Sequence, residues 1–351
     1  MKDTTTVFPR TGKVLLIYTG GTIGMDINPQ TGALEPLDFD HLAHQMYEFR
    51  YLRVGFDTHQ FTPPLDSSDV GPNQWAQLVD IITRNYTSYD GFVILHGTDT
   101  MAYTASALSY MLENLTKPVI LTGSQLPIGQ LRTDGKENLL TSIELAATTG
   151  EGGFPRVPEV CIYFGGKLLR GNRSTKRSAD GFNAFDTFNY PHLCEAGVDF
   201  TFHDHHILRP DYSKEMQPHT SMDTNVVVFS LFPGLEEHLF RHILDAPELR
   251  SIVLRTFGSG NAPQAPWLLR LFESASSRGV IIVNISQCVS GSVAMSRYDT
   301  GYQLQNAGVV SGYDSTVEAA VTKLMHLQGR YDDADTIRTL MKKSLCGEIS
   351  V

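Results

Sequence analysis

Hydroxyls and one carboxylate stand where two apolar runs of this chain stop, and those residues could do chemistry. Thr19 and Thr22 close the segment KVLLIYTGGTIG at 13–24, and Thr98, Asp99 and Thr100 close GFVILHGTDT at 91–100. Each run is apolar at successive positions, which suits a strand covered on both faces. Open parallel sheets bind ligands beyond the carboxyl ends of their strands, so these side chains are expected around one crevice. Glycines at 20, 21 and 97 would let backbone N–H groups approach a ligand that a Cβ would exclude. Taken singly, a Gly-Thr cluster after a strand is also an ordinary turn. No Gly-Lys-Ser/Thr follows either cluster and no G-x-G-x-x-G opens a helix there, so nucleotide binding is disfavoured.

The segments that must hold these residues alternate between strand and helix. After a strand at 13–19, Trp75, Leu78, Val79, Ile82 and Tyr86 form one stripe of a helix across 72–89. A strand at 91–96 follows, then a helix from Asp99 to about Asn114, a strand PVILT from Pro118, and a helix running to Thr148. Asp134 reads as the N-cap of that last helix with Glu137 completing a capping box, and Ser68 or Asp69 reads as a cap for the helix near Pro72. Val160 to Phe164 is a further strand. This order implies a doubly wound sheet. The polar, His-rich stretch from about 200 to 225 reads as a connector. NVVVFSLF, SIVLRTF and GVIIVNIS then supply strands of a second unit that ends in helices at 313–327 and 333–345. The expected fold is two α/β domains: a larger N-terminal one on a doubly wound, mainly parallel sheet (1–205), a connector (206–225), and a smaller parallel-sheet domain (226–351).

Composition narrows the partners. A chain of 351 residues is long enough to bury a core without disulfides. The net charge of −10 argues against nucleic acid or anionic lipid, both of which select basic surfaces. Cys161, Cys194, Cys288 and Cys346 are scattered and form no C-x-x-C, so neither a disulfide framework nor a metal site is expected. The histidines of HDHH, His203, His205 and His206, lack matching ligand spacing and read as solvated. The start MKDTTTVFPRTGK has no apolar core of a signal peptide, and no stretch is long enough to span a membrane. A cytoplasmic location is the simplest expectation.

Seven segments give the chain a family resemblance. TGGTIG at 19–24, LDSSD at 65–69, HGTDTMAYTASAL at 96–108, LTGSQLP at 121–127, RGNRSTK at 170–176, LRTFGSGNAP at 254–263 and NISQCVSG at 284–291 run in order over nearly the whole chain. In these it resembles the bacterial L-asparaginases, most of all the cytoplasmic type I group. The resemblance implies hydrolysis of L-asparagine to L-aspartate and ammonia without cofactor or metal, on a two-domain α/β fold. Thr22 would form the acyl intermediate, while Thr98, Asp99 and Lys176 would assist proton transfer and water attack. Which threonine attacks first stays open.

The chemistry asked of these residues is concrete. A threonine hydroxyl is a weak nucleophile and needs a group to take its proton. A lysine serves if partial burial lowers its pKa, whereas a carboxylate beside it acts in the opposite sense. On composition alone RGNRSTKR, with Arg170, Arg173, Lys176 and Arg177, reads as a solvated charged loop; only the resemblance makes Lys176 a base. Asp99 suits the ammonium of an amino acid. Ser67 and Ser68 could donate to its carboxylate, although Asp66 and Asp69 flank them and the run also reads as a plain loop. Asp66, Ser67, Ser68, Thr98, Asp99 and Asn261 form the expected substrate set. By resemblance Asn261 is lent to a neighbouring subunit, which implies a homo-oligomer, a dimer or tetramer.

A second set, Arg255, Ser286, Gln287 and Cys288, matches the effector site of type I enzymes, where asparagine would act as an activator. Taken alone, Arg255 also reads as a loop arginine paired with a surface acid. The segment MDINPQTGALEP after Thr22 has the composition of a lid. Where many relatives carry a lid tyrosine this chain has Ala33, and Tyr47 or Tyr51 are the candidate substitutes. His96 reads as a packed residue that orients the HGTD turn. Two other functions stay in view: an amidase subunit of a tRNA-dependent amidotransferase, and a catalytically silent amino-acid sensor.

Overall fold

Fully apolar runs paired side by side, with amphipathic helices laid over both faces, account for the architecture. The computed structural model describes residues 12–27, 34–36, 46–295 and 299–351. The large sheet contains β1 (Lys13–Gly20), β2 (Gly55–Leu65), β3 (Gly91–Leu95), β4 (Val119–Thr122), β5 (Val160–Phe164), β6 (Lys167–Arg170), β7 (Cys194–Ala196) and β8 (Phe200–Phe202). Its spatial order is β8-β7-β6-β5-β4-β3-β1-β2. The pairs from β5 to β2 are parallel, and β6 to β8 extend the sheet antiparallel. Strand order therefore reverses between β1 and β3, which makes their carboxyl ends the switch point where such sheets bind ligands. Val14↔Gly91 through Tyr18↔Leu95 sets the register, so both strands reach the crevice together.

Alternate residues of the central strands feed two separate cores. Leu15, Ile17, Phe92 and Ile94 pack beneath α1 (Pro72–Asn85) and α2 (Met101–Met111). Val14, Leu16, Val93 and Leu95 face Leu139 and Ile143 of α3 (Gly135–Ala147) on the other side. Each such fully buried aliphatic side chain contributes about 1.5–3 kcal/mol relative to exposure. The small sheet has four parallel strands in sequential order: β9 (Val226–Ser230), β10 (Ser251–Thr256), β11 (Ile281–Ser286) and β12 (Val309–Ser311). It too is covered twice. On one face lie α4 (Glu237–Leu244) and α5 (Pro266–Ser277), with α6 (Asp299–Asn306) following; on the other lie α7 (Val317–Arg330) and α8 (Ala334–Met341).

Several expectations are corrected in detail. α2 begins at Met101, leaving Thr98, Asp99 and Thr100 in an open turn, and it ends at Met111 because Leu112–Glu113 pairs with Gln217–Pro218. Asp134 holds the N-cap position without capping: its carboxylate turns to the backbone N–H groups of Gln125 and Leu126 at 3.0–3.2 Å. Glu137 instead receives the Tyr163 hydroxyl. The cap of α1 is Gly71, whose N–H donates to Gln74 Oε1, in place of Ser68 or Asp69. Phe200–Phe202, read as connector, is the edge strand of the large sheet. RGNRSTKR is no solvated loop: Arg170, Asn172, Arg173 and Ser174 are all buried.

Candidate active site

Three turns meet at the switch point, and glycines permit it. Gly21 has φ +90, and a Cβ on it would lie 2.5 Å from the Cα and N of Gly97. A Cβ on Gly97 would in turn lie 2.5 Å from Ser67 Oγ. The turns after β1, β3 and β2 are therefore in direct backbone contact. Two predicted crevice hydroxyls tie them down: Thr19 donates to Leu95 O at 2.9 Å and Thr100 donates to Ser67 O at 2.5 Å. Thr22 opens a short 3-10 turn and is half-buried, and its hydroxyl has no hydrogen-bond partner among the described residues.

Lys176 arrives from the far side of the large domain. The 3-10 turn Gly171–Arg173 leads into Thr175–Lys176, which pairs antiparallel with Phe185–Asp186. The Nζ of Lys176 donates to Thr98 Oγ1 at 2.8 Å and to Asp99 Oδ1 at 2.7 Å. Its side chain is 19% exposed, against 65% for Asp99, so the pair is partly screened and the Asp99 carboxylate stays open to a cation. A hydroxyl, an amine and a carboxylate in mutual contact can pass a proton between substrate, threonine and water.

His96 is a packed residue in this arrangement. Its Nδ1 lies 2.7 Å from the Gly97 carbonyl, which only accepts, so Nδ1 carries the proton. Nε2 then accepts from the Thr104 hydroxyl at 3.0 Å, and Thr104 also receives Trp75 Nε1–H. Burial pushes the His96 pKa down to about 4, so both nitrogens are committed to holding the turn.

The remaining predicted residues divide. Asp66 accepts from Ser68 N at 2.9 Å and Ser68 Oγ at 2.7 Å, which keeps its carboxyl below the ordinary carboxylate range. Asp66 and Ser68 thus close their own turn, and Ser67 is buried against Gly97. Asn261 lies after β10, where Thr300 Oγ1 donates to its side-chain oxygen at 3.0 Å. The lid expectation falls partly on a Met25–Ile27/Leu34–Pro36 ladder, and Ala33 lies outside the described residues. Tyr47 and Tyr51 are exposed and bond each other through their hydroxyls at 2.7 Å.

Arg255, Ser286, Gln287 and Cys288 line a second cavity of about 290 Å³, together with Tyr103 and Glu318. The buried Nε of Arg255 has no hydrogen-bond partner among the described residues. Gln287 spends its amide donors on Leu231 O and Arg255 O, and Ser286 donates to Gly258 O. Burial raises the Glu318 carboxyl, which accepts from Thr175 Oγ1 at 2.6 Å. Sequence reading missed Tyr103 and Glu318, because both sit on helices whose pattern reports only packing. A further cavity of about 620 Å³ is lined by Glu113, His326 and Arg330, and none of the predicted site residues lines it. Among the described residues no group of three or more His, Cys, Asp or Glu could hold a metal ion, and no helix is long and apolar enough to cross a membrane.

The chain is similar to known proteins over nearly its whole length. The family models "Asparaginase, N-terminal" and "Glutaminase/Asparaginase C-terminal domain" match residues 13–208 and 225–341. L-asparaginase 1 of Escherichia coli (strain K12) is 44% identical over 347 residues, covering 96% of this chain and 98% of that protein. The 60 kDa lysophospholipase of Mus musculus is 39% identical over 361 residues, covering 97% of this chain and 63% of that longer protein. The crystal structure of L-asparaginase I from Vibrio cholerae superposes with a TM-score of 0.88 at 42% identity, covering 97% of this chain and 99% of that one.

Proposed function

Because the chain belongs to the asparaginase family of amidohydrolases, we propose that it converts L-asparagine and water to L-aspartate and ammonia. The observation that carries this reading is the Lys176 Nζ bonded to both Thr98 and Asp99, in a site whose adjoining turn holds Thr22 with a hydroxyl that has no partner among the described residues. Thr22 Oγ attacks the side-chain amide carbon, its proton passes to the leaving nitrogen, and ammonia departs from an ester on Thr22. Water held at Thr98 then attacks that ester while the Lys176 side chain, as the free amine, takes its proton; the proton returns to Thr22 Oγ1 as the ester bond breaks and aspartate leaves. Asp99 faces the ammonium of the substrate. Backbone N–H groups of the glycine turns are suited to the oxyanion.

The effector reading rests on Arg255, whose unpartnered Nε lies beside a cavity of amino-acid size and suits a carboxylate. Asparagine as both substrate and activator gives a sigmoidal rate curve, and Arg255→Met makes it hyperbolic. Asn261 would complete a neighbour's site in a cytoplasmic dimer or tetramer. Ammonia release from the purified protein on asparagine, alongside Thr22→Ala and Thr98→Ala, tests the whole reading. Each substitution is expected to lower turnover by at least ~10³-fold, the scale of losing a member of a nucleophile set, with the fold retained. No turnover in the unsubstituted protein, with asparagine still bound, would leave the silent sensor.

A further inference from the structure

Asn172 and Arg173, close before the catalytic lysine, are held by the segment Leu345–Ser350, more than 170 residues away in sequence, while Arg170 is held chiefly by Glu159 and the His206 carbonyl. Arg173 Nε donates to Gly347 O at 2.6 Å and its NH2 to Ser350 Oγ at 3.1 Å. Asn172 Nδ2 donates to Cys346 O at 3.0 Å, and Arg170 NH1 reaches Gly347 O at 3.4 Å. Arg173 also pairs with Asp314 at 2.8 Å, and Asp314 accepts from Ser350 N at 2.8 Å. The segment itself is pinned by Glu348, which is 0% exposed. Glu348 accepts from the N–H groups of Leu345 and Cys346 and pairs with Lys323 of α7 at 2.5 Å.

We propose that residues 345–350 form a clasp that positions Lys176 for the reaction. The proposal rests on the reading above in which Lys176 serves proton transfer. Lys176 follows Arg173 by only three residues. Apart from its own two bonds, that stretch is held by local Ser174 bonds to Arg170 O and Gly171 O, by a two-residue ladder continued by Arg177 N to Ala184 O, and by the Thr175–Glu318 bond. The side chains anchoring its start are buried in a polar network: Arg170 pairs with Glu159, Arg173 pairs with Asp314, and Asn172 and Arg173 donate to backbone carbonyls of the distant segment. Buried ions arranged this way add little stability over an apolar filling, and they do fix one geometry. Arg170, Asn172, Arg173 and Glu348 are positioning residues: none contacts Thr98 or Asp99. Releasing the clasp frees the turn Gly171–Arg173 to shift and carries the Lys176 backbone with it.

The test compares the full chain with one ending at Ser344 and with Glu348→Gln, which is the milder change should the shortened chain not fold. Folding is checked by circular dichroism and thermal unfolding. Two readouts follow: kcat for ammonia release, and the acetylation rate of Lys176 by sulfosuccinimidyl acetate, mapped by mass spectrometry against Lys13 and Lys136. A displaced lysine lowers kcat by up to ~10²-fold, the effect of about 1 Å of misplacement, with KM little changed. Acetylation of Lys176 alone rises, and a peptide of residues 344–351 added to the shortened chain reverses both effects. Folded variants in which Lys176 stays as protected as in the full chain overturn the clasp, whatever happens to kcat. A rise in Lys176 reactivity with kcat intact upholds the clasp and refutes the reading of Lys176 as proton acceptor.

Discussion

Placing a single methyl group on Gly21 tests whether the two hydroxyl-bearing turns touch. Gly21 sits at φ +90 and ψ 171, a region that residues with a Cβ almost never occupy, and forcing alanine there costs about 1–3 kcal/mol. The new Cβ would also lie 2.5 Å from the Cα and N of Gly97. Those are backbone atoms that cannot rotate aside, so overpacking adds a further ~1–3 kcal/mol. The strain has two outlets. If the turns hold their places, stability falls by the full amount, about 2–6 kcal/mol. If they part by about 1 Å, stability partly recovers while kcat/KM drops by ~10²-fold, because the turn bearing Thr22 shifts against the turn bearing Thr98. Gly279→Ala is the control: its φ is +92 and nothing lies within 4 Å of the added Cβ, so only the conformational cost of ~1–2 kcal/mol remains. Urea unfolding and ammonia-release kinetics on Gly21→Ala, Gly279→Ala and the parent chain decide it. A Gly21→Ala chain no less stable than the control, and equally active, would refute the contact.

Two further outcomes follow from the same geometry. His96 stays neutral in the folded chain down to about pH 4 but takes a proton near 6.5 once unfolded, so the unfolded state binds more protons between those values. Its contribution is complete above about pH 6.5 and is lost as pH falls toward 4, an effect of about 3 kcal/mol. Urea unfolding across that window should show the parent chain weakening more steeply than His96→Asn; parallel curves would contradict the buried neutral imidazole. Asp134→Ala should cost about 2 kcal/mol by orphaning the N–H groups of Gln125 and Leu126, without shifting the start of α3, as seen by hydrogen exchange.

Much of the fold was legible because burial leaves a simple mark. Runs apolar at every position, such as Val14–Tyr18 and Phe92–Leu95, are buried throughout, as strands covered twice must be. The stripe of Trp75, Leu78, Val79 and Ile82 likewise marks the face of α1 that packs inward. β2 was missed because it is an edge strand carrying Pro63, Pro64 and polar residues, and edge strands need no continuous apolar run. Short antiparallel strands such as Cys194–Ala196 and Phe200–Phe202 are too brief for periodicity to register.

The chain by itself marked residues that could carry chemistry: hydroxyls, a carboxylate and glycines placed just past strands that end side by side. Residue type and local spacing suffice for that, since strand ends and turns are near-neighbour properties. Tertiary structure alone decided which polar groups are free to act. Ser68 is spent on Asp66 and Gln287 on two carbonyls, whereas Thr22 is left open. The arginines of RGNRSTK, indistinguishable in composition from a surface loop, are buried against residues 345–350. Whether a charge faces water or a carbonyl depends on segments far apart in sequence, and no local pattern encodes that meeting.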